Sequence, residues 1–403
     1  MLGTAASSQS AVLQPAAAEI TAVKEEAADC LPIRDFLSIR GSATSSEDNR
    51  GCTGSRGLFP DAQPFSLMTT LTSYETARAR GNSYRIFSQL FDAGVTSEAL
   101  PYVRSIPELS AAGAELADPD LAAATHQRLF GFNVFAHESM FLSPEALLGG
   151  PVSERVTQFT FQAGFDPGSS ENADQIAREL GLLAFLCDAE IDAWRDQQTG
   201  ETERMRALQR TFLDDHLLRW LPGLATAIGQ QDEPLYAAAA SLLLDLALDH
   251  RAGLGDDLHS AAEPFALPAA PDPLASQRAG LRDVAEFLLT TAYSGIYLSR
   301  DDISRLGRQR NLPTGFGSRR LMLTNLLRSA AEFDALPPLL SDIQTLLARW
   351  QAGYAALDES PAAAVRAIGA VWSARLQETA SLLNRLNEAA WQKSASQPES
   401  SDA

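Results

Sequence analysis

The sequence has little from which to build a catalytic, metal or disulfide site, and it has no long apolar run. No stretch reaches the roughly 20 apolar residues a membrane span needs, and Met1 to Gln14 carry no positive charge, which argues against a secretory signal. Cysteine is nearly absent: Cys30, Cys52 and Cys187 are the three in 403 residues. With no C-x-x-C spacing they indicate neither a disulfide framework nor a thiolate zinc site, and they fit a reducing cytoplasm. There is no P-loop, no G-x-G-x-x-G after a strand, no H-E-x-x-H and no G-x-S-x-G. The most metal-like group is Asp249, His250, Asp256, Asp257 and His259. It stands at a helix end beside Gly253 and Gly255, so a solvated acidic terminus competes with a ligand set, which would need a rigid frame. Asp214-Asp215-His216 fall on a helix, where adjacent side chains diverge.

What is present favours helix. Apolar residues make up 45% of the chain, with Leu and Ala abundant and aromatics at 7%. Leu and Ala lose little side-chain entropy in a helix, so an all-α fold is expected. Acidic side chains outnumber basic ones, 51 to 32, for a net charge of −19. Such a surface repels nucleic acid and anionic lipid and attracts cationic peptides, although solubility alone also explains it.

Residues 1–67 read as a disordered leader, with Ser, Gly and charge concentrated between Gly41 and Gly57. Met68 is a candidate start, and Thr72 with Glu75 has capping-box spacing. A first helical body spans 68–252. Its signals include Asp118-Pro119 at a helix start, Ser143-Pro144-Glu145 at another closed by Gly149-Gly150, and a stripe Ile176, Leu180, Leu183, Cys187, Ile191, Trp194. A further helix carries Met205, Leu208, Phe212 and the Leu217–Leu221 cluster and is expected to stop at Pro222, with Trp220 buried. A Pro-rich linker follows over 253–276. A C-terminal helical region, 277–391, is expected to hold helices near 278–291, 300–309, 318–331, 335–356 and 361–391, before a disordered tail over 392–403. Met140–Leu147 and Ile296–Ile303 share one order of residue types, each read as an extended entry into a Ser-capped helix.

Two blocks rise above composition: Asn133–Leu148, and Glu171–Leu186 with the helix ending Phe212-Leu-Asp-Asp-His-Leu-Leu-Arg-Trp-Leu-Pro222. Their order resembles the TorD/DmsD/NarJ family of redox-enzyme maturation chaperones. The likeness covers roughly Met68 to Arg251, the first helical body, which would then be a TorD-like domain. In that family an aromatic block precedes a short helix, and a Glu-Pro-x-Asp-His-like motif opens a long one.

The resemblance implies an all-helical chaperone, without enzymatic activity or a cofactor of its own. Its partner would be the catalytic subunit of a molybdopterin oxidoreductase, held during cofactor insertion, often by a grip on its twin-arginine signal peptide. Glu171, Asp174 and Gln175 occupy the Glu, Asp and His places of the motif, and Asn172 stands where Pro is usual. His137 falls where many members have Trp, with Phe135, Ser139 and Phe141 in the same block. Two guanidiniums beside an apolar helix call for carboxylates beside an apolar groove, which Glu171 and Asp174 near Phe135 and Phe141 would supply. Alternatively Glu171 and Asp174 only complement a helix N-terminus. Outside the likeness, Arg300, Arg305, Arg308, Arg310, Arg319, Arg320 and Arg328 crowd together, as a solvated face, a tie to the acidic first body or a client contact. Ser318-Arg319-Arg320-Leu321-Met322-Leu323 has the outline of a twin-arginine core, either a capped helix start or an internal decoy meeting acidic groups of the first body. A helical adaptor with an unrelated protein partner, and a metal-dependent helical hydrolase, are the alternatives.

Overall fold

The computed structural model describes residues 73–113, 118–166, 172–255, 264–276 and 280–395. The expected leader over 1–67, Met68, Thr72, Cys30, Cys52, Glu171, Asp256, Asp257, His259 and residues 396–403 lie outside the described residues, and residues 392–395 of the expected disordered tail are instead helical. The chain divides into a unit ending at Glu75 and a compact unit, Thr76–Ala403, whose fold follows. Among the described residues it is all-α, as composition leads one to expect, with one isolated antiparallel bridge between His137 and Gln175. No helix among them is long and apolar enough to cross a membrane.

The helices are α1 (Ser73–Ala93), α2 (Leu100–Ser105), α3 (Pro107–Ala112), α4 (Pro119–His126), α5 (Glu138–Leu142), α6 (Gly150–Gln162), α7 (Ile176–Arg195) and α8 (Thr199–Phe212). After them come α9 (Leu218–Gly229), α10 (Pro234–Gly253), α11 (Leu281–Leu289), α12 (Thr291–Ser294), α13 (Arg300–Gln309), α14 (Arg319–Glu332), α15 (Leu336–Ala355) and α16 (Ala363–Ala395). Starts follow the capping signals. Asp118 accepts from the Asp120 N–H, with Pro119 at the first helical position of α4. Ser299 and Asp302 form a reciprocal capping box on α13. Ser143 behaves differently from its expected twin: its hydroxyl accepts from the Glu145 N–H in a turn, and no helix follows until α6. Gly149 and Gly150, at φ 85° and 73°, make the left-handed entry to that helix.

Pro222 does not end its helix. Residues Leu213–Leu217 form a π turn, and α9 continues through Pro222 to Gly229. The widened turn lies immediately upstream of a residue that has no N–H to give, which is where such irregularities accommodate proline.

α9 is the axis of the core. It packs against α10, α5, α15 and α16, and Trp220, Leu221 and Leu224 on it are fully buried. Gly223 permits the closest approach: a Cβ there would lie 3.2 Å from both Phe141 and the Tyr354 hydroxyl. Where sequence texture suggests two bodies joined by a strap, both sides of the Pro-rich segment contribute to one core. Trp372 donates to the Arg219 carbonyl at 2.8 Å, and Tyr354 stacks on Trp372 at 5.2 Å. The described part of the strap, 264–276, is docked. Arg375 donates to the Pro268 carbonyl, Arg385 holds Asp272 through two 3.0 Å hydrogen bonds, and Phe265 packs near Trp372.

The α7 stripe is buried from Ile176 to Ile191, with Cys187 inside, but Trp194 at its end is 42% exposed. Trp220 is fully enclosed, as expected from its apolar neighbours, and Trp220→Ala should destabilise the protein by about 3–5 kcal/mol in urea titrations. A neutral variant would contradict α9 as the axis.

Candidate peptide-binding site

The two motif blocks meet through the backbone. Phe135–His137 runs extended alongside Asn172–Ile176. The Glu138 N–H donates to the Asp174 carbonyl at 2.9 Å and the Ile176 N–H to the Ala136 carbonyl at 2.9 Å. His137 is thereby the N-terminal flank of α5, and Gln175 that of α7. Asn172 sits at φ 65°, a left-handed conformation that Asn tolerates and that proline, locked near −65°, cannot adopt.

Asp174 has no exposed surface. Its Oδ2 accepts from the Ser139 N–H at 3.0 Å, so it caps α5 across the chain, not its own helix α7. The His137 Nδ1 is 3.7 Å from its other oxygen, too far for a hydrogen bond but close enough for attraction if the ring is charged. Burial alone would raise the Asp174 pKa, but the His137 ring and the Ser139 groups outweigh it and hold the carboxyl well below the usual carboxylate range.

Ser139 and Phe141 are buried too, while Phe135, His137 and Gln175 are half-buried. The Ser139 hydroxyl accepts from the Gly149 N–H at 3.2 Å and so tethers the loop leaving α5. Phe141 stacks on Tyr297 at 5.3 Å and tilts against Trp220 at 5.5 Å. The structure thus brings six of the seven sequence-chosen residues together, with Glu171 outside the described residues, but as a largely internal knot.

Sequence reasoning missed the groups around this knot. Glu138 and Glu179 are both buried; His216 Nδ1 lies 3.1 Å from Glu138, and Trp220 Nε1 donates to Glu179 at 3.2 Å. Burial, with Glu138 and Asp174 nearby, pushes the Glu179 carboxyl well above its ordinary pKa. The signal was available: Glu179 falls on the same face of α7 as Ile176 and Leu183. The C-terminal region also completes the knot. Tyr297 donates to the Asn133 carbonyl and accepts from the Phe135 N–H, and Asn133 exchanges hydrogen bonds with Asp301. Arg319 lies over Tyr297 at 4.5 Å and over Phe135 at 5.9 Å while donating to the Leu298 carbonyl. Arg320 pairs with Glu286 at 3.3 Å. Neither arginine meets Asp174, so a decoy acting on that residue does not hold.

The open surface beside the knot is a groove of about 1170 Å³. Its walls are the Pro144–Leu147 loop, Pro271–Pro273, α11 and the start of α14, and it carries Glu145, Asp272, Asp283 and Glu286 beside Leu147, Phe287 and Tyr293. Leu147 is 65% exposed, and Ala146 is held at φ 49°, backbone strain in the loop that presents it. Nothing comparable surrounds His250: both ring nitrogens are engaged, by Tyr84 at 2.9 Å and Gln209 at 2.8 Å. Among the described residues no group of three or more His, Cys, Asp or Glu is placed to hold a metal ion.

Residues 104–226 match the family model described as nitrate reductase delta subunit. The chain is 36% identical over 96 residues to the selenate reductase assembly chaperone protein of Thauera selenatis, covering 24% of this chain and 48% of that relative. It is 33% identical over 103 residues to the chlorate reductase assembly chaperone protein of Ideonella dechloratans, covering 26% and 52%. The chain thus spans about half the length of the curated relatives it matches. No solved structure gives a significant match. The matched stretch contains both motif blocks, and over it the resemblance to the TorD/DmsD/NarJ chaperones read from them is borne out.

Two buried carboxyls give opposite pH signatures. Asp174 releases its proton more readily folded than unfolded, so its stabilisation is complete above about pH 5 and is lost as pH falls through the acid range. Asp174→Asn should lower stability at neutral pH by about 1.5–3 kcal/mol, the worth of a hydrogen bond to a charged group. A variant melting like the parent would show that the cap does not matter. Glu179 binds its proton more tightly folded, so its contribution is full below about pH 4 and declines as pH rises towards its folded pKa. Glu179→Gln, which keeps an acceptor for Trp220, should gain stability over the parent as pH rises; a difference independent of pH would refute a neutral buried Glu179.

Proposed function

We propose that the protein is a cytoplasmic maturation chaperone, not an enzyme. It binds the catalytic subunit of a molybdopterin-dependent oxidoreductase during cofactor insertion and assembly. The two relatives named as reductase assembly chaperones support this reading, and the family match over residues 104–226 contains the motif blocks that build the knot.

The observation that carries the peptide part of the proposal is the groove beside the knot. Four carboxylates line it against two arginines, on a chain of net charge −19. A twin-arginine signal segment offers paired guanidiniums followed by apolar residues, and carboxylates beside Leu147 and Phe287 match both parts. In this reading Asp174, Ser139 and Phe141 shape the site from within. Ser139 tethers the loop that carries Leu147, and Asp174 fixes α5, from which that loop departs. Phe135, His137 and Gln175, with part of their surfaces open, are the family positions left for direct contact with a client, together with Glu171.

Glu286 is the carboxylate to test. Its partners are Arg282 at 3.2 Å and Arg320 at 3.3 Å, and it caps nothing, unlike Asp283, which accepts from the Gly280 N–H. Calorimetric titration with a synthetic peptide carrying two consecutive arginines and a Leu-rich stretch should show affinity falling as salt rises. Glu286→Gln should weaken binding about three- to tenfold with the fold intact, a charge-assisted contact discounted for partial exposure. Equal affinity for parent and variant would remove the groove as the peptide site. Co-purification of a molybdopterin oxidoreductase subunit with the chaperone tests the wider reading, and recovery of an unrelated protein instead would favour a helical adaptor.

A further inference from the structure

Between α13 and α14 the chain makes a tip, Gly315-Phe316-Gly317, at which Phe316 is 97% exposed. Both glycines have left-handed φ, +73° and +132°, so the tip has a shape that other residues rarely adopt. It is also supported. A Cβ at Gly315 would lie 3.0 Å from the Asn325 side chain, and one at Gly317 would lie 3.1 Å from Leu321. Leu321 is itself 48% exposed, and its N–H donates to Ser318, the capping residue of α14 and part of the groove wall. Phe316 contributes nothing to the core, and it lies two residues before Ser318, within about 7 Å of that groove-wall residue along the chain.

From this placement we infer that Phe316, together with the exposed Leu321, is the apolar anchor for the stretch that follows the arginines of a client peptide. The inference rests on the groove reading above. It assigns the partner a composite chemistry: a cationic pair at the carboxylates and, a few residues on, one bulky apolar side chain against the tip. Continuity with the carboxylate groove argues for that occupant. An aromatic side chain has only two side-chain torsions to fix on docking and much apolar area to bury, so a single one can contribute substantially to binding.

The experiment compares Phe316→Ser with the parent on two peptides, the Arg-Arg peptide with its Leu-rich stretch and the same peptide with that stretch replaced by Gly and Ser. The variant should bind the first about tenfold more weakly and the second unchanged, with its melting temperature unaltered because the side chain is exposed. Equal binding of the apolar peptide by parent and variant overturns the anchor. So does a variant whose peptide affinity is unchanged while its sedimentation shows a lost self-association, which would make the tip a contact between copies. The groove reading fails separately, if Glu286→Gln leaves both affinities unchanged; failure of the parent to bind either peptide sinks both.

Discussion

One carboxylate, Asp174, fixes how the two motif blocks meet. Its backbone carbonyl takes the Glu138 N–H and its side chain takes the Ser139 N–H, so a five-residue helix too short to persist alone gets its first turn satisfied from a distant segment. From that fixed start α5 directs Phe141 inward between Trp220 and Tyr297 and sends Leu147 outward on the following loop. Without the cross-chain cap, the α5 N–H groups would be buried without partners, and the loop beside the groove would lose the element it departs from.

The interior around Asp174 accommodates several acids by giving them different protonation states. Asp174 is held towards its ionised form by the His137 ring and the Ser139 groups beside it, whereas Glu179, deep under Trp220, is driven towards the neutral form. Two charged acids at that depth would repel one another strongly in a medium of low polarity. A neutral Glu179 keeps the indole bonded without adding a second buried charge. His216 answers Glu138 on the other side. The knot is therefore a polar cluster inside the core, and it joins α5, α7, the π turn before α9 and α9 itself.

Much of this was legible in the sequence, for identifiable reasons. Helix starts at Asp118, Ser299 and Ser318 were readable because each puts a short oxygen-bearing side chain ahead of a periodic apolar run, and each caps as expected. The helices from Arg300 onward fall within a few residues of their expected spans because their stripes are regular and their connections polar. Ser143 carries a similar local signal yet caps only a turn, since the tether from Gly149 to Ser139 closes the loop before a helix can begin. Pro222 read as a stop because one-residue rules do not contain the π turn that admits it. The site was half legible. Motif order identified Asp174 and His137, but whether a carboxylate faces a partner or the interior depends on what packs over it. That packing comes from segments far along the chain, Trp220 and Tyr297 among them.

The same long-range packing bears on where specificity would reside. Similarity to the curated relatives covers about a quarter of this chain, and the family match ends at residue 226. Of the groove's walls, only the Pro144–Leu147 loop belongs to that stretch; Asp272, Asp283, Glu286 and the start of α14 lie beyond it. The C-terminal helices are also integral to the knot, because Tyr297 satisfies the backbone at Asn133 and Phe135, and Arg319 covers the Tyr297 ring. A division of labour follows from that geometry. The segment matched by the family model, residues 104–226, supplies α5, α7 and most of α9, the framework of the knot. In the proposed reading, the segment after the Pro-rich strap supplies most of the charge that would distinguish one client peptide from another. Exchanging Asp272 or Glu286 would then alter which peptide is preferred while leaving α5, α7 and α9 as they are, since neither side chain reaches the buried knot.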